Sequence, residues 1–453
     1  MNSLPAFKAY DVRGKIPEEL DEELVYKIGV AYVNEMRPEG KVATGRDVRD
    51  SSPQLQEALN RGLMDAGVDV VDVGLCGAET IYFASSQAGM GGGLMVTASH
   101  NPKGYNGIKP VGKNGAPLTG SQGLEALKQR ILNGNLSTTT HKGSLSSRGF
   151  TEAMCDYFLT LVPPDSIAQV TLVANPGNGC AGPTAKTLLA KLDVDVHWLY
   201  PEPDGDFPNG IPNPLLRENR DVTAQAVIQH QAALGIAWDG DFDRCFFFDD
   251  HGQFIEGYYL VGLLAEAALK RYAGATIIHD PRLYWNTQDV AAHLNGKAVM
   301  SKTGHAYIKE SMRRENGIYG GEMSAHHYFR DFSYCDSGML PWLMVLQVMK
   351  DRGLSLGELV RERIQQFPCS GEINFTVSDA QAVMQQIADR YEPESDAKDL
   401  LDGVSLSFHN AWRFNLRASN TEPLLRLNVE SRGDEVLMQD QTAALSSLIQ
   451  ALA

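Results

Sequence analysis

Residues 41–74 read KVATGRDVRDSSPQLQEALNRGLMDAGVDVVDVG, and this stretch indicates a strand, a helix and a second strand in succession. The apolar runs at 41–45 and 68–74 are typical of strands, and the amphipathic segment at 53–67 between them ends on Gly67. Strands that alternate with helices are the mark of layered α/β architecture. The stretch therefore predicts the fold class of the chain around it.

The alternation of strands and helices continues until Pro368, after which the pattern changes. A chain of 453 residues is too long for one hydrophobic core, and a loop-rich segment at 133–148 indicates a first boundary. Beyond Pro368, a strand, a helix, three strands and a final helix favour an antiparallel arrangement. We therefore predict three successive mixed α/β domains and a C-terminal α+β domain, in which an antiparallel sheet carries two helices. The predicted domains I to IV span residues 1–146, 147–247, 248–366 and 367–453.

The composition limits the partners that this chain can have. Its hydrophobic fraction of 43% and charged fraction of 21% are typical of a globular protein. A net charge of −16 disfavours nucleic acid and anionic membranes, whereas a small anionic substrate would need cations gathered in one cleft. The polar N-terminal stretch argues against a signal peptide, and the longest apolar run, near 340–349, is too short for a bilayer. We predict a cytoplasmic protein.

The six cysteines are scattered along the chain, and no two of them form a C-x-x-C pair. This spacing disfavours both a zinc site and a disulfide framework. We expect buried free thiols.

The motif DGDFDR carries three aspartates, Asp239, Asp241 and Asp243, just beyond a predicted buried strand. Carboxylates this close need a cation or protonation, and hard oxygen ligands select Mg²⁺ or Ca²⁺. An EF-hand is excluded because Arg244 and Asp250 stand where that loop needs glycine and glutamate. A solvated acidic turn is the alternative, but ligands bind α/β sheets at strand ends such as this one. The motif therefore predicts a metal site.

Residues 203–210 read PDGDFPNG and repeat part of the same motif. Pro208 replaces the third aspartate, and no cationic residue follows. We predict a turn here rather than a metal site.

The stretch GEMSAHHYF brings together one carboxylate, Glu322, and one short hydroxyl, Ser324. This pair suits the recognition of neighbouring hydroxyls on a sugar. Two adjacent histidines, His326 and His327, point in different directions and are therefore unsuited to sharing a metal ion. A structural turn is the alternative, and it is the favoured interpretation for His327.

The loop RASNTEP, residues 417–423, combines a guanidinium group, hydroxyls and backbone N–H groups. Such a combination is suited to binding a phosphate. An ordinary polar hairpin is the alternative, but it would not need Arg417 and Arg426 on the flanking strands. The loop therefore indicates a phosphate site.

The motif TASHNP contains one candidate nucleophile, Ser99, followed directly by His100. A Ser-His-Asp hydrolase needs the histidine to reach the hydroxyl, whereas adjacent residues in an extended loop are expected to point apart. The chain also lacks a G-x-S-x-G turn at this position. We therefore predict that Ser99 carries a phosphate, whose charge is balanced by a metal ion and basic side chains.

Taken in order along the chain, TASHNP, DGDFDR, GEMSAH and RASNTEP resemble the motifs of the α-D-phosphohexomutase family. Supporting stretches are KAYDVRG, GRDVRDSS, NPGNGCAGP and SKTGH, so the resemblance covers the whole chain. It is closest to the bacterial phosphomannomutase/phosphoglucomutase branch. The resemblance implies a heart-shaped enzyme with one central cleft, to which each of the four domains contributes a loop.

The resemblance also implies a role for each motif. Ser99 would be the phosphoserine, and its phosphate would complete the site of one Mg²⁺ per chain. The implied metal ligands are Ser99, Asp239, Asp241 and Asp243. The implied readers of sugar hydroxyls are Glu322 and Ser324. The implied holders of the distal phosphate are Tyr10, Arg282, Arg417, Ser419, Asn420 and Thr421. The implied lining of the transfer site is Arg13, His100, Lys109, Arg244, His305 and His326.

The implied reaction is the reversible interconversion of mannose 6-phosphate and mannose 1-phosphate. It would pass through a phosphoserine enzyme and a hexose 1,6-bisphosphate, which would serve as both intermediate and activator. Lys109 or a histidine would handle the proton, and Lys109 would need a lowered pKa for that role. The ligands would be small hexose phosphates, the product would supply GDP-mannose, and the chain would be a monomer or a weak homodimer.

Three positions bear on the branch of the family. Arg282 stands where the branch often has lysine, so a planar fork replaces a point charge. Ala325 stands where glycine is common, which predicts a less mobile loop. Met323 argues against the phosphoglucosamine mutases, which usually carry glutamine there.

Three alternative functions are consistent with parts of the sequence. A phosphoglucomutase or a dual-specificity mutase remains open, because mannose and glucose differ only at C2. A non-catalytic sensor of sugar phosphates is disfavoured, since Ser99 and the three aspartates are all present. A phosphatase with an aspartyl nucleophile would need D-x-D-x-T, and Asp243 occupies the threonine position.

Overall fold

A computed structural model of the chain shows two compact units. The described residues are 4–118, 123–418 and 424–453. The first unit extends to Phe254 and includes His326–Gly353, and the second comprises Ile255–Ala325 and Leu354–Ala453. Across these described ranges, no helix combines the length and the apolar character needed to cross a membrane. All six cysteines are free, five of them buried and Cys369 half-buried, as expected.

The N-terminal part of the first unit is a mixed sheet with helices packed against it. Its elements are β1 (Val12–Lys15), α1 (Glu22–Met36), β2 (Lys41–Arg46), α2 (Ser52–Asp65), β3 (Val70–Leu75), α3 (Ala78–Ser85), β4 (Met90–Val96), β5 (Tyr105–Gly112), α4 (Leu124–Leu132) and β6 (Leu145–Ser147). The strand order is β1-β5-β4-β2-β3-β6. Strand β2 is parallel to β3 and β4, whereas β5 is antiparallel to β1 and β4. The wholly buried β4 ends where the serine loop, residues 97–102, begins.

The stretch 41–74 forms β2, α2 and β3, as its pattern predicts. Pro53 lies in the first turn of α2, where a missing N–H leaves no intrahelical partner unsatisfied. Leu55, Leu59 and Leu63 recur along one face of this helix and are at most 2% exposed. Each such leucine stabilises the core by about 1.5–3 kcal/mol, so burial of this face holds α2 against the sheet.

The second part of the first unit continues the α/β pattern. Its elements are α5 (Thr151–Leu161), β7 (Thr171–Asn175), α6 (Ala181–Leu189), β8 (Asp195–Trp198), α7 (Asp221–His230), β9 (Leu234–Trp238), β10 (Cys245–Phe248) and β11 (Phe254–Ile255). The sheet has the order β11-β10-β9-β7-β8. Strand β7 is parallel to β8 and β9, and β10 returns antiparallel to β9. The aspartate loop, residues 239–244, is the connection between the buried strands β9 and β10.

The next stretch of chain is divided between the two units. In the second unit it forms α8 (Gly257–Arg271), β12 (Thr276–His279), α9 (Trp285–His293), β13 (Lys297–Met300), α10 (His305–Glu315) and β14 (Tyr319–Gly321). In the first unit it forms β15 (His327–Phe329), β16 (Cys335–Asp336) and α11 (Leu340–Arg352), and α12 (Leu356–Gln366) follows in the second. Strand β12 is parallel to β13 and β14, whereas β15 and β16 pair antiparallel.

The C-terminal part of the second unit has an antiparallel sheet with two helices, which confirms the predicted α+β class. Its elements are β17 (Ile373–Thr376), α13 (Ala380–Tyr391), β18 (Ala397–Asp399), β19 (Val404–Phe408), β20 (Trp412–Ala418), β21 (Leu424–Ser431) and α14 (Glu435–Leu452). The strand order is β17-β21-β20-β19-β18. The sequence pattern does not predict the three-residue β18, because its sequence AKD has no apolar alternation and it is an edge strand that pairs with β19.

A buried carboxyl group lies at the first turn of α3. The side chain of Glu79 is completely buried, and its Oε2 accepts hydrogen bonds from Ser337 Oγ at 2.5 Å and from the Gly338 N–H at 3.0 Å. Burial raises the pKa of Glu79 to about 8 from an ordinary value of 4.5. Folding therefore favours the protonated form of this group over much of the neutral range.

This burial predicts a pH-dependent stability that the variant Glu79→Gln removes. Below pH 4.5 both folded and unfolded forms are protonated, whereas between 4.5 and 8 only the unfolded form releases the proton. Wild-type stability therefore falls as pH rises through this window, and the uncharged glutamine is insensitive to it. From pH 5 to pH 8 we expect the wild type to lose about 3–4 kcal/mol relative to E79Q, measured by denaturant unfolding. Parallel pH profiles for the two proteins would contradict the prediction.

Candidate active site

Ser99 lies on the turn after β4 and reaches the aspartate loop. Its backbone φ is +48°, in the left-handed region, and its side chain is almost fully buried. Ser99 Oγ donates a hydrogen bond to Asp239 Oδ2 at 2.6 Å, and its N–H donates to Thr97 Oγ1 at 2.9 Å. A Cβ at Gly240 would lie 2.3 Å from the Ser99 carbonyl oxygen, so glycine is needed there. The serine and aspartate loops therefore touch backbone to backbone.

His100 lies beside Ser99 rather than pointing away from it. The two side chains approach to 3.0 Å between Ser99 Oγ and His100 Nδ1. The expectation that they point apart is wrong, because the left-handed turn at Ser99 brings both to one side of the loop. Burial and the adjacent Arg244 guanidinium hold the pKa of His100 well below its usual value. The ring is therefore neutral and accepts a hydrogen bond from Arg244.

The three aspartates of the aspartate loop converge, and all are buried. One carboxylate oxygen from each of Asp239, Asp241 and Asp243 lies within 4.8 Å of the others. Lys109 Nζ donates to Asp241 Oδ2 at 2.7 Å and to Asp243 Oδ2 at 2.6 Å, and Thr97 Oγ1 donates to Asp241 Oδ2 at 3.0 Å. Among the described residues, the Oδ1 atoms of Asp241 and Asp243 have no hydrogen-bond partner. Two buried oxygens are therefore left for a cation.

The charges of this cluster shift one another's pKa values. Burial raises the pKa of Asp239, and the other aspartates add to the effect while Arg244 opposes it. Burial would also raise the pKa of Asp243, but Lys109 and His326 hold it below its usual range. Burial would lower the pKa of Lys109, yet Asp241 and Asp243 outweigh this and raise it. The carboxylates of Asp241 and Asp243 therefore oppose the lowered pKa that Lys109 would need in order to handle the proton.

A divalent cation fits the aspartate loop. Three converging carboxylates are the hard oxygen donors that Mg²⁺ and Ca²⁺ prefer. Buried carboxylate oxygens without partners are rare in folded proteins, and two of those among the described residues belong to the aspartate loop. A second group of possible ligands shares Asp243 and adds His326 and Asp336, with His326 Nδ1 3.1 Å from Asp336 Oδ2. Imidazole is a softer ligand, so the aspartate loop suits a hard cation better.

The similar stretch 203–210 is a turn, as expected. Asp204 accepts hydrogen bonds from the Asp206 N–H at 2.9 Å and, through its carbonyl, from the Phe207 N–H at 3.1 Å. The Asp206 side chain is 80% exposed and pairs with Lys103 at 3.2 Å. These carboxylates therefore do not converge as those of the aspartate loop do.

Two arginines next to Ser99 position the serine loop. Arg13, on β1, donates to Asn101 Oδ1 and to Asp11 Oδ2, both at 2.7 Å. Arg49 donates to three carbonyl oxygens of the loop, those of Ser99 at 3.0 Å, Pro102 at 2.9 Å and Asn101. It is 4% exposed and also forms an ion pair with Asp47 at 3.3 Å. One buried guanidinium group therefore fixes the path of the loop that presents Ser99.

Replacing Arg49 by methionine is expected to lower kcat about 10–100-fold with KM changed less than threefold, because a misplaced nucleophile costs rate rather than binding. Lysine provides one point donor instead of a fork, so R49K is expected to fall between R49M and the wild type. The exposed Arg61 on α2 offers a matched control, and R61M is expected to behave as wild type. A kcat for R49M within twofold of wild type would refute the positioning role.

In the second unit, Glu322 and Ser324 lie on the turn after β14, next to Arg282. Arg282 Nη2 donates to Ser324 Oγ at 3.2 Å and is 3.7 Å from Glu322 Oε1. The N–H of Gly304, which precedes His305 at the start of α10, donates to Glu322 Oε1 at 2.9 Å. A carboxylate and a hydroxyl are therefore held together by one guanidinium group.

Ala325 follows this turn with φ +72°, in the left-handed region. Such a conformation costs a residue with a Cβ about 1–2 kcal/mol. The alanine therefore keeps a backbone conformation that glycine would adopt without strain.

Three arginines of the second unit, which we call the arginine clamp, converge on Glu372. They are Arg282, Arg417 and Arg426. Arg282 Nη1 donates to Glu372 Oε2 at 3.2 Å, Arg417 Nη2 lies 3.7 Å from the same oxygen, and Arg426 Nη1 lies 3.4 Å from Oε1. The predicted phosphate ligands Ser419, Asn420 and Thr421 lie outside the described residues, and Tyr10 is half-buried in the first unit.

Residue patterns missed two contributors, Arg49 and Glu372. Arg49 lies in the quoted stretch GRDVRDSS, where an arginine two residues after an aspartate at a strand end was a usable signal. Glu372 directly precedes β17, and the sequence around it indicates only a strand. Its neighbours Arg282, Arg417 and Arg426 are distant in sequence, so only the fold reveals the cluster.

Family models match the chain in four successive stretches. They are described as phosphoglucomutase/phosphomannomutase alpha/beta/alpha domain I at residues 5–137, domain II at 150–252, domain III at 256–367 and the C-terminal domain at 372–446. Together these matches cover most of the chain, in the order expected from the four sequence motifs.

Curated relatives match over almost the full length. A protein of Xanthomonas campestris pv. campestris named "Phosphohexose mutases" is 51% identical over 447 residues, which is 99% of each chain. A "Phosphomannomutase" of Salmonella montevideo is 51% identical over 456 residues, 99% of this chain and 100% of the relative. Among solved structures, a phosphoglucomutase/phosphomannomutase family protein from Burkholderia thailandensis is 30% identical with a TM-score of 0.88, covering 100% of this chain and 98% of that one.

Proposed function

The chain belongs to the phosphoglucomutase/phosphomannomutase family, the α-D-phosphohexomutases, and from this premise we propose that it interconverts mannose 6-phosphate and mannose 1-phosphate. The observation that carries the proposal is the hydrogen bond of 2.6 Å from Ser99 Oγ to Asp239, inside a cluster of three buried aspartates. A hydroxyl held against a cation site is suited to carry a phosphoryl group, because phosphoryl transfer depends on positioning and charge stabilisation.

We assign the metal site to Asp239, Asp241 and Asp243, with an oxygen on Ser99 as a further ligand. A Mg²⁺ ion bound there would stabilise negative charge on the transferring phosphoryl group. Arg244, which donates to Asp239 at 2.8 Å and contacts His100, would bring a second positive charge to the same place. The aspartate loop and Arg244 would thus stabilise negative charge and form no covalent bond to the phosphoryl group.

In the proposed first step, the bond between Ser99 Oγ and phosphorus breaks and the free hydroxyl of the hexose phosphate forms a new bond to phosphorus. The departing Ser99 Oγ takes up a proton in place of the one that this hydroxyl loses. The proton of that hydroxyl needs an acceptor. We do not assign this role to Lys109, whose Nζ donates to Asp241 at 2.7 Å and to Asp243 at 2.6 Å. We assign the role to His326, whose Nδ1 lies 3.1 Å from Asp336 Oδ2, so that this carboxylate orients the ring.

The second step reverses the first with the other phosphate of the hexose 1,6-bisphosphate. Ser99 Oγ then loses its proton, attacks that phosphate and regains a phosphoryl group, while His326 returns a proton to the sugar oxygen as its bond to phosphorus breaks. Glu322 and Ser324 are proposed to bind sugar hydroxyls, with His305 beside them. Hydrogen-bonding groups rather than hydrophobic walls suit a sugar that must bind in both orientations.

Activity on glucose phosphates as well as mannose phosphates is a second candidate function. It is favoured by the relative named "Phosphohexose mutases", which is as similar to this chain as the relatives named for mannose alone. A role in GDP-mannose supply, the bisphosphate activator and a cytoplasmic location remain predictions from the sequence.

Turnover of mannose 1-phosphate, glucose 1-phosphate and glucosamine 1-phosphate, measured at matched concentrations with Mg²⁺, tests the proposal. We expect the highest kcat/KM for mannose 1-phosphate. Equal values for mannose and glucose would establish the dual-specificity alternative, and activity confined to glucosamine 1-phosphate would overturn both. Omission of Mg²⁺ in the presence of a chelator is expected to abolish turnover of every substrate.

A further inference from the structure

The arginine clamp contains two like charges in direct opposition. Arg417 on β20 and Arg426 on β21 are cross-strand partners in an antiparallel pair. Side chains of such partners lie on the same face of a sheet, and like charges placed there repel each other. Arg282 adds a third guanidinium group beside them. The folded chain therefore needs an anion at this position even before any ligand binds.

Glu372 is that anion. Its carboxylate is 15% exposed and is within 3.7 Å of all three guanidinium groups. Asp280 also restrains Arg282, because Arg282 Nε donates a hydrogen bond of 2.9 Å to the Asp280 carboxylate. The three cations hold the pKa of Glu372 below its usual value against the opposing effect of burial, so the group is ionised.

Arg417 of the clamp has a donor that no described residue accepts. Arg417 is 3% exposed, and its Nε has no hydrogen-bond partner among the described residues. Burying an unsatisfied donor costs free energy unless a ligand or another group satisfies it. Arg417 is the first residue of the loop RASNTEP, which the sequence predicts to bind phosphate. Its unsatisfied donor therefore indicates an anionic ligand that binds the clamp beside Glu372.

We propose that Glu372 competes with the substrate phosphate for the arginine clamp. When no phosphate is bound, Glu372 keeps the three arginines ordered, and when phosphate is bound, Glu372 weakens its binding. This inference rests on the proposed function. A phosphate dianion that enters the clamp meets the carboxylate of Glu372 as well as three guanidinium groups, and repulsion between the two anions offsets part of the attraction. Glu372 is a positioning residue, since it acts through the arginines.

The proposed reaction explains why weaker binding of phosphate at the clamp is useful. The bisphosphate intermediate must release the phosphate held at the clamp and offer that phosphate to Ser99. A clamp that bound phosphate as tightly as three unopposed arginines would trap the intermediate, because charge-assisted hydrogen bonds to phosphate are strong. Tighter binding of ground states lowers KM without raising kcat, so an opposing carboxylate favours turnover.

The test is equilibrium binding to wild type and to Glu372→Gln, with mannose 1-phosphate and inorganic phosphate as separate probes. We expect E372Q to bind mannose 1-phosphate about 10-fold more tightly, and to show a lower KM together with a kcat lowered about 5-fold or more. The exposed Glu394 supplies the matched control, because E394Q removes the same charge from a surface position and is expected to bind as wild type. A purely structural role for Glu372 would weaken binding instead.

The outcomes separate this inference from the proposed function. If wild type binds mannose 1-phosphate and E372Q binds it equally or more weakly, the competitor role is overturned while the proposed function stands. If wild type binds no hexose phosphate, the proposed function itself fails. If E372Q does not fold, the comparison is made between R426Q and R426Q/E372Q, where fewer guanidinium groups are left unopposed. The double variant is then expected to bind about 10-fold more tightly than R426Q, and equal binding refutes the inference.

Discussion

Replacement of Ser99 by alanine is expected to lower mutase turnover at least ~10³-fold, because it removes the atom that would carry the phosphoryl group. The fold should persist. The side chain is small, and Asp239, the partner of Ser99 Oγ, keeps its hydrogen bonds with Arg244. The measurements are coupled turnover of mannose 1-phosphate and intact mass after incubation with a hexose 1,6-bisphosphate. Wild type should gain the mass of one phosphoryl group and S99A none.

Ser86 provides a control for the loss of a serine hydroxyl. It is half-buried at the end of α3, and its hydroxyl donates to the Tyr82 carbonyl at 2.9 Å. We expect S86A to keep both turnover and phosphorylation. A phosphorylated S99A protein, or one with turnover near that of wild type, would show that the phosphoryl carrier is another residue.

Replacement of Asp241 by asparagine is expected to lower kcat about 10²–10³-fold and Mg²⁺ affinity about 100-fold. Asp241 is completely buried and has one oxygen without a hydrogen-bond partner among the described residues, so its negative charge is aimed at a cation. Asparagine keeps the size of the side chain and removes the charge. Its oxygen can still accept from Thr97 or Lys109, which currently donate at 3.0 and 2.7 Å. Mg²⁺ binding by calorimetry and turnover over a Mg²⁺ titration measure the two effects.

The turn at 203–210 provides a control, because its sequence is similar to that of the aspartate loop. Asp204 and Asp206 occupy a D-G-D-F stretch but form a turn in which the Asp206 side chain is 80% exposed. We expect D206N to leave Mg²⁺ affinity and kcat unchanged. Equal losses in D241N and D206N would point to a general effect of net charge, and unchanged Mg²⁺ affinity in D241N would refute the metal site.

The fold class and the family could be predicted from the sequence because both depend on local patterns. The alternation of strands and helices from 41–74 onward is visible without any tertiary information, and so is its change after Pro368. The aspartate loop was recognisable as well, since three like charges in five residues after a strand have few structural explanations. The short strand β18 escaped because three residues that pair only at a sheet edge carry no periodic signal.

The electrostatics of the site could not be predicted in the same way. A proton-handling role for Lys109 needs a lowered pKa, which neighbouring cations would supply, but the side chains that contact it are Asp241 and Asp243 from more than 130 residues away. The approach of His100 to Ser99 depends on one backbone angle, the φ of +48° at Ser99. Side-chain partners and single dihedral angles are set by tertiary packing, and motif letters do not encode them.

The contact at Gly240 has a consequence for recombination between related genes. The Ser99 carbonyl fills the space that any side chain at position 240 would need, although the two loops are about 140 residues apart in sequence. A chimaera that took its serine loop from one parent and its aspartate loop from another would combine two loops whose backbones are not matched for this close contact. Crossover points in a shuffled library should therefore keep residues 97–102 and 239–244 from the same parent.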